Sequence, residues 1–298
     1  MTTSANRRSF PRVLLWLTIT IVSTIASYHA GYGSGANLIL ARRDSVVPPV
    51  EDIAKKTKEV ATAPALRVTT RDTSNNSEYL TKGEELFLNT AKSMNSVTDK
   101  VTTHRYQIMY GRFLLPYYQQ NPTMKMLEIG LGCDMNYGPG ASTAIWKKLF
   151  PKADLWEAEF NATCVEKHKD ALKGFHILTG DQGNDAVLDS WIQESGGNFD
   201  VVIDDGGHQN CQIWHSFLKL WPTVKPGGLY FIEDLQVGKL PQYKKFTTDT
   251  CDNNLVVTEK LKEYIDVMIH YDQRKEFAQS DIEFIFCQHE ACVVGKKK

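Results

Sequence analysis

The stretch MKMLEIGLG at residues 124–132 opens the part of the sequence that decides the fold. It is the first of five short apolar runs, and a segment with helical spacing of apolar residues follows each of the first four. This alternation predicts a doubly wound α/β sheet, which binds ligands beyond the carboxyl ends of its strands. The runs occupy residues 124–132, 153–160, 175–181, 199–207 and 227–235, and the helical segments occupy residues 141–150, 163–173, 184–195 and 210–224.

The segments on either side of this series also carry regular patterns. Helical spacing marks residues 78–94 and 104–120 before it and residues 257–275 after it. Residues 281–296 are predicted to form a closing hairpin with Glu290 near its turn, because parallel sheets of this kind often end in antiparallel strands.

The composition excludes several classes of protein. The 298 residues are 42% hydrophobic and 23% charged, which is typical of a folded chain and not of a disordered one. Lys and Arg number 34 against 35 Asp and Glu, so the net charge of −1 predicts no nucleic-acid partner. None of the six cysteines forms a CxxC pair, which argues against a zinc ribbon, while their even number permits disulfides.

An apolar segment near the N-terminus predicts a membrane anchor. Residues 13–30 contain no Asp, Glu, Lys or Arg, and as a helix they would span about 27 Å, close to the hydrocarbon thickness of a bilayer. Three arginines before the segment favour a cytosolic tail at residues 1–12. We therefore expect a single-pass membrane protein with its catalytic domain in the ER or Golgi lumen or otherwise extracytoplasmic. A cleaved signal peptide is the alternative.

The region between this segment and the predicted sheet is a linker by composition. Residues 31–77 contain glycine, proline and polar residues without a strong period. The predicted organisation is therefore a tail at 1–12, a transmembrane signal anchor at 13–30, a stem at 31–77 and a catalytic domain at 78–298.

The first apolar run ends in a glycine-containing loop that predicts a cofactor site. Glu128 precedes Gly130 and Gly132, and glycines at this position let a ligand approach the backbone closely. The residue three after Gly132 is Met135, so the dinucleotide fingerprint GxGxxG is incomplete, and no P-loop motif follows.

Acidic residues end the second and third runs. Glu159 is the better candidate to bind a ribose diol, because a carboxylate accepts two hydrogen bonds, and Glu157 is the alternate. Asp181 ends the third run, where it can accept from an adenine amino group or serve as an ordinary turn residue.

The fourth and fifth runs end in paired acids, which are the most informative feature of the chain. Asp204 and Asp205 end one run, and Glu233 and Asp234 end the next. Carboxylates crowded together favour a compensating cation, and oxygen ligands suit Mg²⁺, so Asp205, Glu233 and Asp234 are predicted to hold one ion. His208 is the candidate general base.

Together these motifs resemble the class I S-adenosylmethionine-dependent methyltransferases, in particular the macrolide sugar O-methyltransferases of the mycinamicin and macrocin type, with cephalosporin-hydroxylase-like proteins as further relatives. The resemblance runs from about Asp99 to Tyr243. It is carried by Thr98-Asp99-Lys100, His104-Arg105-Tyr106, Tyr110, residues 127–132, Gly180-Asp181-Gln182, residues 203–208, residues 225–228 and Glu233-Asp234-Leu235-Gln236.

The resemblance implies a Rossmann-like sheet of the class I methyltransferase type and a set of site residues. It implies a metal site at Asp205, Glu233 and Asp234 with His208 as base, and methyl-donor contacts near Glu128, Gly130, Glu159, Asp181 and Asp204. Asp99, Lys100, His104 and Tyr110 are expected close to the cleft.

The activity expected from this resemblance is O-methylation of a sugar or small-metabolite hydroxyl, with S-adenosylmethionine and Mg²⁺ as cofactors. Asp205 and His208 are the expected catalytic residues. The acceptor would be a small molecule or a glycan, and the oligomeric state is left open. Two alternatives remain, a catalytically silent binding protein with this fold and another enzyme on the same frame, such as a hydroxylase-like protein.

Overall fold

A seven-stranded mixed sheet organises the part of the chain that the computed structural model describes, residues 81–241, 243, 255–270 and 280–298. The strand order is β3-β2-β1-β4-β5-β7-β6. The first five strands are parallel, and β7 pairs antiparallel with both β5 and β6. The prediction of an α/β sheet is confirmed. The strands are β1 (Lys125–Ile129), β2 (Asp154–Glu159), β3 (His176–Thr179), β4 (Phe199–Asp204), β5 (Val224–Ile232), β6 (Ile282–Cys287) and β7 (Cys292–Lys296).

The described helices cover both faces of this sheet. Successive strand residues point to opposite faces, so Leu127 belongs to one core and Met126 to the other. The helices are α1 (Lys82–Lys92), α2 (Asp99–Thr102), α3 (Gln107–Met109), α4 (Leu115–Gln120), α5 (Ala141–Leu149), α6 (Ala162–His168), α7 (Asp185–Ser195), α8 (Asn210–Leu220) and α9 (Val257–Ile269). Helices α1, α3 and α5 pack on the Met126 face, and α7, α8 and α9 on the Leu127 face.

The predicted helix at 104–120 is interrupted. A π-helical turn, Tyr110–Leu114, separates α3 from α4. Gly111 in this turn lies against Gly83 of α1, where an added Cβ on Gly83 would come 2.2 Å from the Gly111 carbonyl oxygen. The two glycines therefore permit a close crossing, which brings the buried Tyr110 against β5.

The C-terminal predictions are confirmed by α9 and by the hairpin of β6 and β7. The hairpin carries a disulfide between Cys287 and Cys292, and a second disulfide joins Cys133 to Cys164. The sequence permitted such pairs without assigning them.

Several predictions fall outside the described residues. These are the transmembrane segment at 13–30, the stem at 31–77 and the domain boundaries derived from them. Within the ranges given above, no helix combines the length and the apolar character needed to cross a bilayer.

Candidate active site

A cavity of about 580 Å³ lies at the carboxyl ends of the parallel strands. The loops after β1, β2, β3, β4 and β5 all contribute to its lining, as expected for an open α/β sheet. Of the residues predicted from the sequence, those that line it are Asp99, Gly130, Gly132, Glu159, Asp181, Asp205, His208 and Asp234.

The glycine loop brings backbone against backbone. Gly130 has φ +108°, and a Cβ there would lie 2.0 Å from the carbonyl oxygen of Asp205. Its N–H donates to the Ala158 carbonyl oxygen at 2.8 Å, which joins the ends of β1 and β2. A side chain is excluded at Gly130, so this wall of the cavity is formed by backbone groups.

Glu159 rather than Glu157 faces the cavity. Its Oε2 accepts from the Leu131 N–H at 3.1 Å, and its Oε1 accepts from the Asn161 N–H at 2.8 Å. Glu157 is fully buried, and burial together with Glu128 raises its carboxyl pKa well above the usual range. Glu157, the alternate candidate for binding a ribose, therefore lies in the interior. Glu159, the better candidate, is held by two backbone amides at the cavity wall.

Asp181 and its neighbour Gln182 support the loops after β3 and β4. Asp181 Oδ1 accepts from the Gly183 N–H at 2.8 Å and from Gln212 Nε2 at 3.0 Å. Gln182 Nε2 donates to Asp204 Oδ1 at 2.9 Å, while its Oε1 accepts from the Gly207 N–H at 2.8 Å. The sequence reasoning did not assign a role to Gln182, although it directly follows the predicted strand end.

Two predicted cofactor residues, Glu128 and Asp204, do not line the cavity. Glu128 Oε2 accepts from Ser142 at 2.8 Å and from Trp146 at 2.7 Å, because this residue still lies within β1 and faces α5. Asp204 is 1% exposed, and burial raises the pKa of its carboxyl to about 6. Both side chains lie behind the wall of the cavity, and their direct contact with a cofactor stays a prediction.

The paired acids meet His208 at the edge of the cavity. Asp205, His208 and Asp234 each offer one ligand atom, and these atoms lie within 4.8 Å of one another. His208 and Asp234 have φ values of 56° and 52°, a left-handed conformation that costs non-glycine residues energy. His208 Nε2 lies 3.6 Å from Asp234 Oδ2.

Glu233 lies outside this group of three; it is 1% exposed and is paired with Lys100. Lys100 is 1% exposed, and its Nζ lies 2.6 Å from Glu233 Oε2 and 2.6 Å from Asp205 Oδ2. The Tyr110 hydroxyl donates to the other Glu233 oxygen. Burial acts to lower the pKa of Lys100, but Asp205 and Glu233 outweigh it and raise that pKa well above its usual value.

Asp234, which follows β5, is also supported from distant parts of the chain. The Tyr106 hydroxyl donates to Asp234 Oδ1 at 2.5 Å. His104 Nδ1 lies 2.5 Å from Glu290 Oε2, and His104 Nε2 lies 3.6 Å from Asp234 Oδ1. Burial acts to raise the pKa of Asp234, but His208, Tyr106 and His104 together lower it.

Sequence reasoning expected His104 near the cleft but missed the contribution of Glu290. That residue belongs to the hairpin turn, far from the motifs in the chain, and it has φ 69°. No local pattern connects the two positions.

The donor set at the cavity edge fits a divalent cation. Mg²⁺ is commonly bound through one or two carboxylates, with water and substrate oxygens completing six positions. Asp205 and Asp234 supply two such carboxylates, whereas an imidazole such as that of His208 suits proton transfer better than Mg²⁺ ligation.

Comparison with known proteins supports this description of the fold. No model of a protein family matches the chain. It is 36% identical over 142 residues to mycinamicin VI 2''-O-methyltransferase of Micromonospora griseorubida, covering 47% of this chain and 34% of that protein. It is 27% identical over 195 residues to demethylmacrocin O-methyltransferase of Streptomyces fradiae, covering 63% and 47%. The chain thus spans less than half the length of these curated relatives.

A solved structure agrees with these sequence matches. The MycE methyltransferase of the mycinamycin biosynthetic pathway, in complex with Mg, SAH and mycinamycin VI, superposes with a TM-score of 0.52 at 28% identity. The match covers 65% of this chain and 50% of MycE.

The relatives also correct the predicted localisation. They come from Micromonospora and Streptomyces, which are bacteria and contain neither endoplasmic reticulum nor Golgi apparatus. Among the described residues, no helix is long and apolar enough to span a membrane. The segment predicted to do so, at 13–30, lies outside them. Over its described residues, the chain has the fold of the class I S-adenosylmethionine-dependent methyltransferases, and its sequence is similar to the macrolide sugar O-methyltransferases.

Proposed function

We propose that this chain is an S-adenosylmethionine-dependent, Mg²⁺-assisted O-methyltransferase that acts on a hydroxyl of a sugar or other small metabolite. One observation carries the proposal. A single cavity is bordered on one side by a glycine loop with Glu159 and on the other by Asp205, His208 and Asp234. Methyl transfer to oxygen requires both a donor site and a group that removes the acceptor proton, within reach of each other.

The glycine loop and Glu159 would hold the methyl donor. The two Glu159 oxygens already accept from the Leu131 and Asn161 amides, so the carboxylate is fixed before a ribose binds. Asp181, at the end of β3, would accept from the adenine amino group. The donor supplies an electrophilic methyl group, and the protein would hold its carbon near the acceptor oxygen.

Asp205 and Asp234 would hold the cation, with Glu233 and Lys100 behind them. A divalent cation at this position supplies Lewis acidity that lowers the pKa of an acceptor hydroxyl. His208 lies beside both carboxylates and lines the cavity, so it is the residue that would accept the hydroxyl proton. The reaction forms a carbon–oxygen bond and breaks the methyl–sulfur bond.

The acceptor class rests on the relatives. Several of them are described as methyltransferases of sugar-bearing natural products, including a 2''-O-methyltransferase for mycinamicin VI and one for a rhamnosyl tetracenomycin. A hydroxyl of a sugar or small metabolite is therefore the acceptor class to test.

The proposal is tested with the full chain by calorimetry and turnover. We expect S-adenosylhomocysteine to bind and Mg²⁺ to bind in wild type but not in Asp205→Ala. Radiolabelled methyl transfer from S-adenosylmethionine to a panel of methyl glycosides should then be lost in His208→Ala. Asp189→Ala, on the exposed side of α7, is the matched control. A folded chain that binds no S-adenosylhomocysteine contradicts the proposal, and binding without transfer to any glycoside supports a silent binding protein instead.

A further inference from the structure

The Cys133–Cys164 disulfide lies at the cavity and has no role in the chemistry proposed above. Cys133 lines the cavity in the loop after β1, and Cys164 lies in α6, which follows β2. The bond therefore joins the two chain segments that would enclose the ribose of the methyl donor.

Apart from this disulfide, helix α6 is only weakly attached to the rest of the domain. None of its seven residues is buried. Phe160, just before it, lines the cavity but is 73% exposed. The nearest apolar anchor after the helix is Leu172, which is 3% exposed. The end of α6 that borders the cavity thus lacks the apolar burial that normally holds a surface helix in place.

Besides the backbone bond between Gly130 and Ala158 at the strand ends, the two segments are linked through the carboxylate of a residue proposed to bind the ligand, Glu159. The Leu131 N–H donates to Glu159 Oε2, and the Asn161 N–H donates to Glu159 Oε1. A ribose bound to Glu159 would share these oxygens. The disulfide joins the two walls independently of that carboxylate.

We propose that the Cys133–Cys164 disulfide is a positioning element of the methyl-donor site, which holds α6 and the glycine loop at the separation that the donor needs. This inference rests on the proposed function. Without the bond, the two walls would sample wider separations. The apparent affinity for the donor would then be the intrinsic affinity multiplied by the fraction of time that the walls are correctly spaced. The disulfide on the hairpin lies away from the cavity lining and provides a matched comparison.

The test is calorimetric titration of S-adenosylhomocysteine into the oxidised full chain and two double variants. We expect Cys133→Ser/Cys164→Ser to bind about tenfold more weakly than wild type, as for a site populated about a tenth of the time. Cys287→Ser/Cys292→Ser should bind like wild type. Mg²⁺ affinity in the absence of S-adenosylhomocysteine should be unchanged in Cys133→Ser/Cys164→Ser. The disulfide joins segments that follow β1 and β2, whereas Asp205 and Asp234 follow β4 and β5.

The outcomes separate this inference from the proposed function. Equal S-adenosylhomocysteine affinity in wild type and a folded Cys133→Ser/Cys164→Ser variant contradicts the positioning role and leaves the methyltransferase proposal intact. No binding by oxidised wild type contradicts the proposed function itself. Should the variant fail to fold, wild type is titrated at increasing reductant with the remaining disulfides mapped by mass spectrometry. Affinity that falls as the Cys133–Cys164 bond opens supports the inference, and constant affinity overturns it.

Discussion

The two sides of the cavity are built in opposite ways. At the ends of β1 and β2 the glycine loop brings backbone groups to the cavity, and the Glu159 carboxylate is held by two N–H groups. At the ends of β4 and β5 the charged side chains of Asp205, His208 and Asp234 line the cavity, and a buried Lys100 lies between Asp205 and Glu233. The first side depends on backbone shape, and the second depends on charge balance. Substitutions on the first side should therefore destabilise the protein through steric contact and backbone strain, and those on the second side through unpaired buried charge.

The largest effect is expected from removing the buried cation. Lys100→Met leaves Asp205 and Glu233 without their partner in the interior, and breaking a buried ion pair from one side costs about 3–5 kcal/mol of the free energy of unfolding. Urea unfolding measures this cost. Lys148→Met, on the exposed side of α5, is the control and should change little. If Lys100→Met loses no more free energy of unfolding than Lys148→Met, charge balance does not stabilise the side formed at the ends of β4 and β5.

A smaller effect is expected on the backbone side. Gly130→Ala combines φ +108° with a contact of 2.0 Å to the Asp205 carbonyl, which should cost about 3 kcal/mol and weaken S-adenosylhomocysteine binding. Gly138 has φ +84° with nothing within 4 Å, so Gly138→Ala carries only the backbone cost of about 1 kcal/mol. Thermal unfolding of both variants separates the cost of the steric contact at Gly130 from the cost of the positive φ that both glycines share. Equal losses would mean that the contact at Gly130 is relieved by a small shift.

The smallest of the three effects is expected at Asp204, which lies where the two sides meet. Its pKa is raised from 3.8 to about 6 by burial, so the folded state binds the proton more tightly than the unfolded state. The stabilisation is complete below pH 4 and is lost as the pH rises through 6. Relative to Asp204→Asn, wild type should lose about 2 kcal/mol between pH 4.5 and 7.

Urea unfolding at the two pH values measures this difference. Asp189→Asn, on the surface of α7, serves as the control for general electrostatic effects. A difference between wild type and Asp204→Asn that does not change with pH would contradict the raised pKa.

The sequence predicts the sheet because hydrophobic period and strand length are local properties. Gly130, Glu159 and Asp181 line the cavity, since each lies at or just beyond a strand end. Glu128 does not line it, because it lies one residue before the end of β1, where side chains still alternate between the two faces.

The remaining features depend on the folded chain. The left-handed backbone at His208 and Asp234 has no glycine to mark it in the sequence. Glu290 reaches the acid cluster from a hairpin turn that no motif connects to it. Lys100 belongs to a motif that is expected near the cleft, but its position between Asp205 and Glu233 depends on the folded chain. Six cysteines allow many pairings, so the Cys133–Cys164 bond across the cavity could not be derived from spacing.

The hydrogen bonds described above also imply an order of assembly for the two sides. Leu131 and Glu159, which form the backbone side, are separated by 28 residues, whereas His104 and Glu290 are separated by 186. Closing a longer loop costs more entropy, and contacts between distant residues tend to form later in folding. During synthesis, the donor wall can form while the hairpin has yet to emerge. The acid cluster receives its support from Glu290 only after residue 290 has been made.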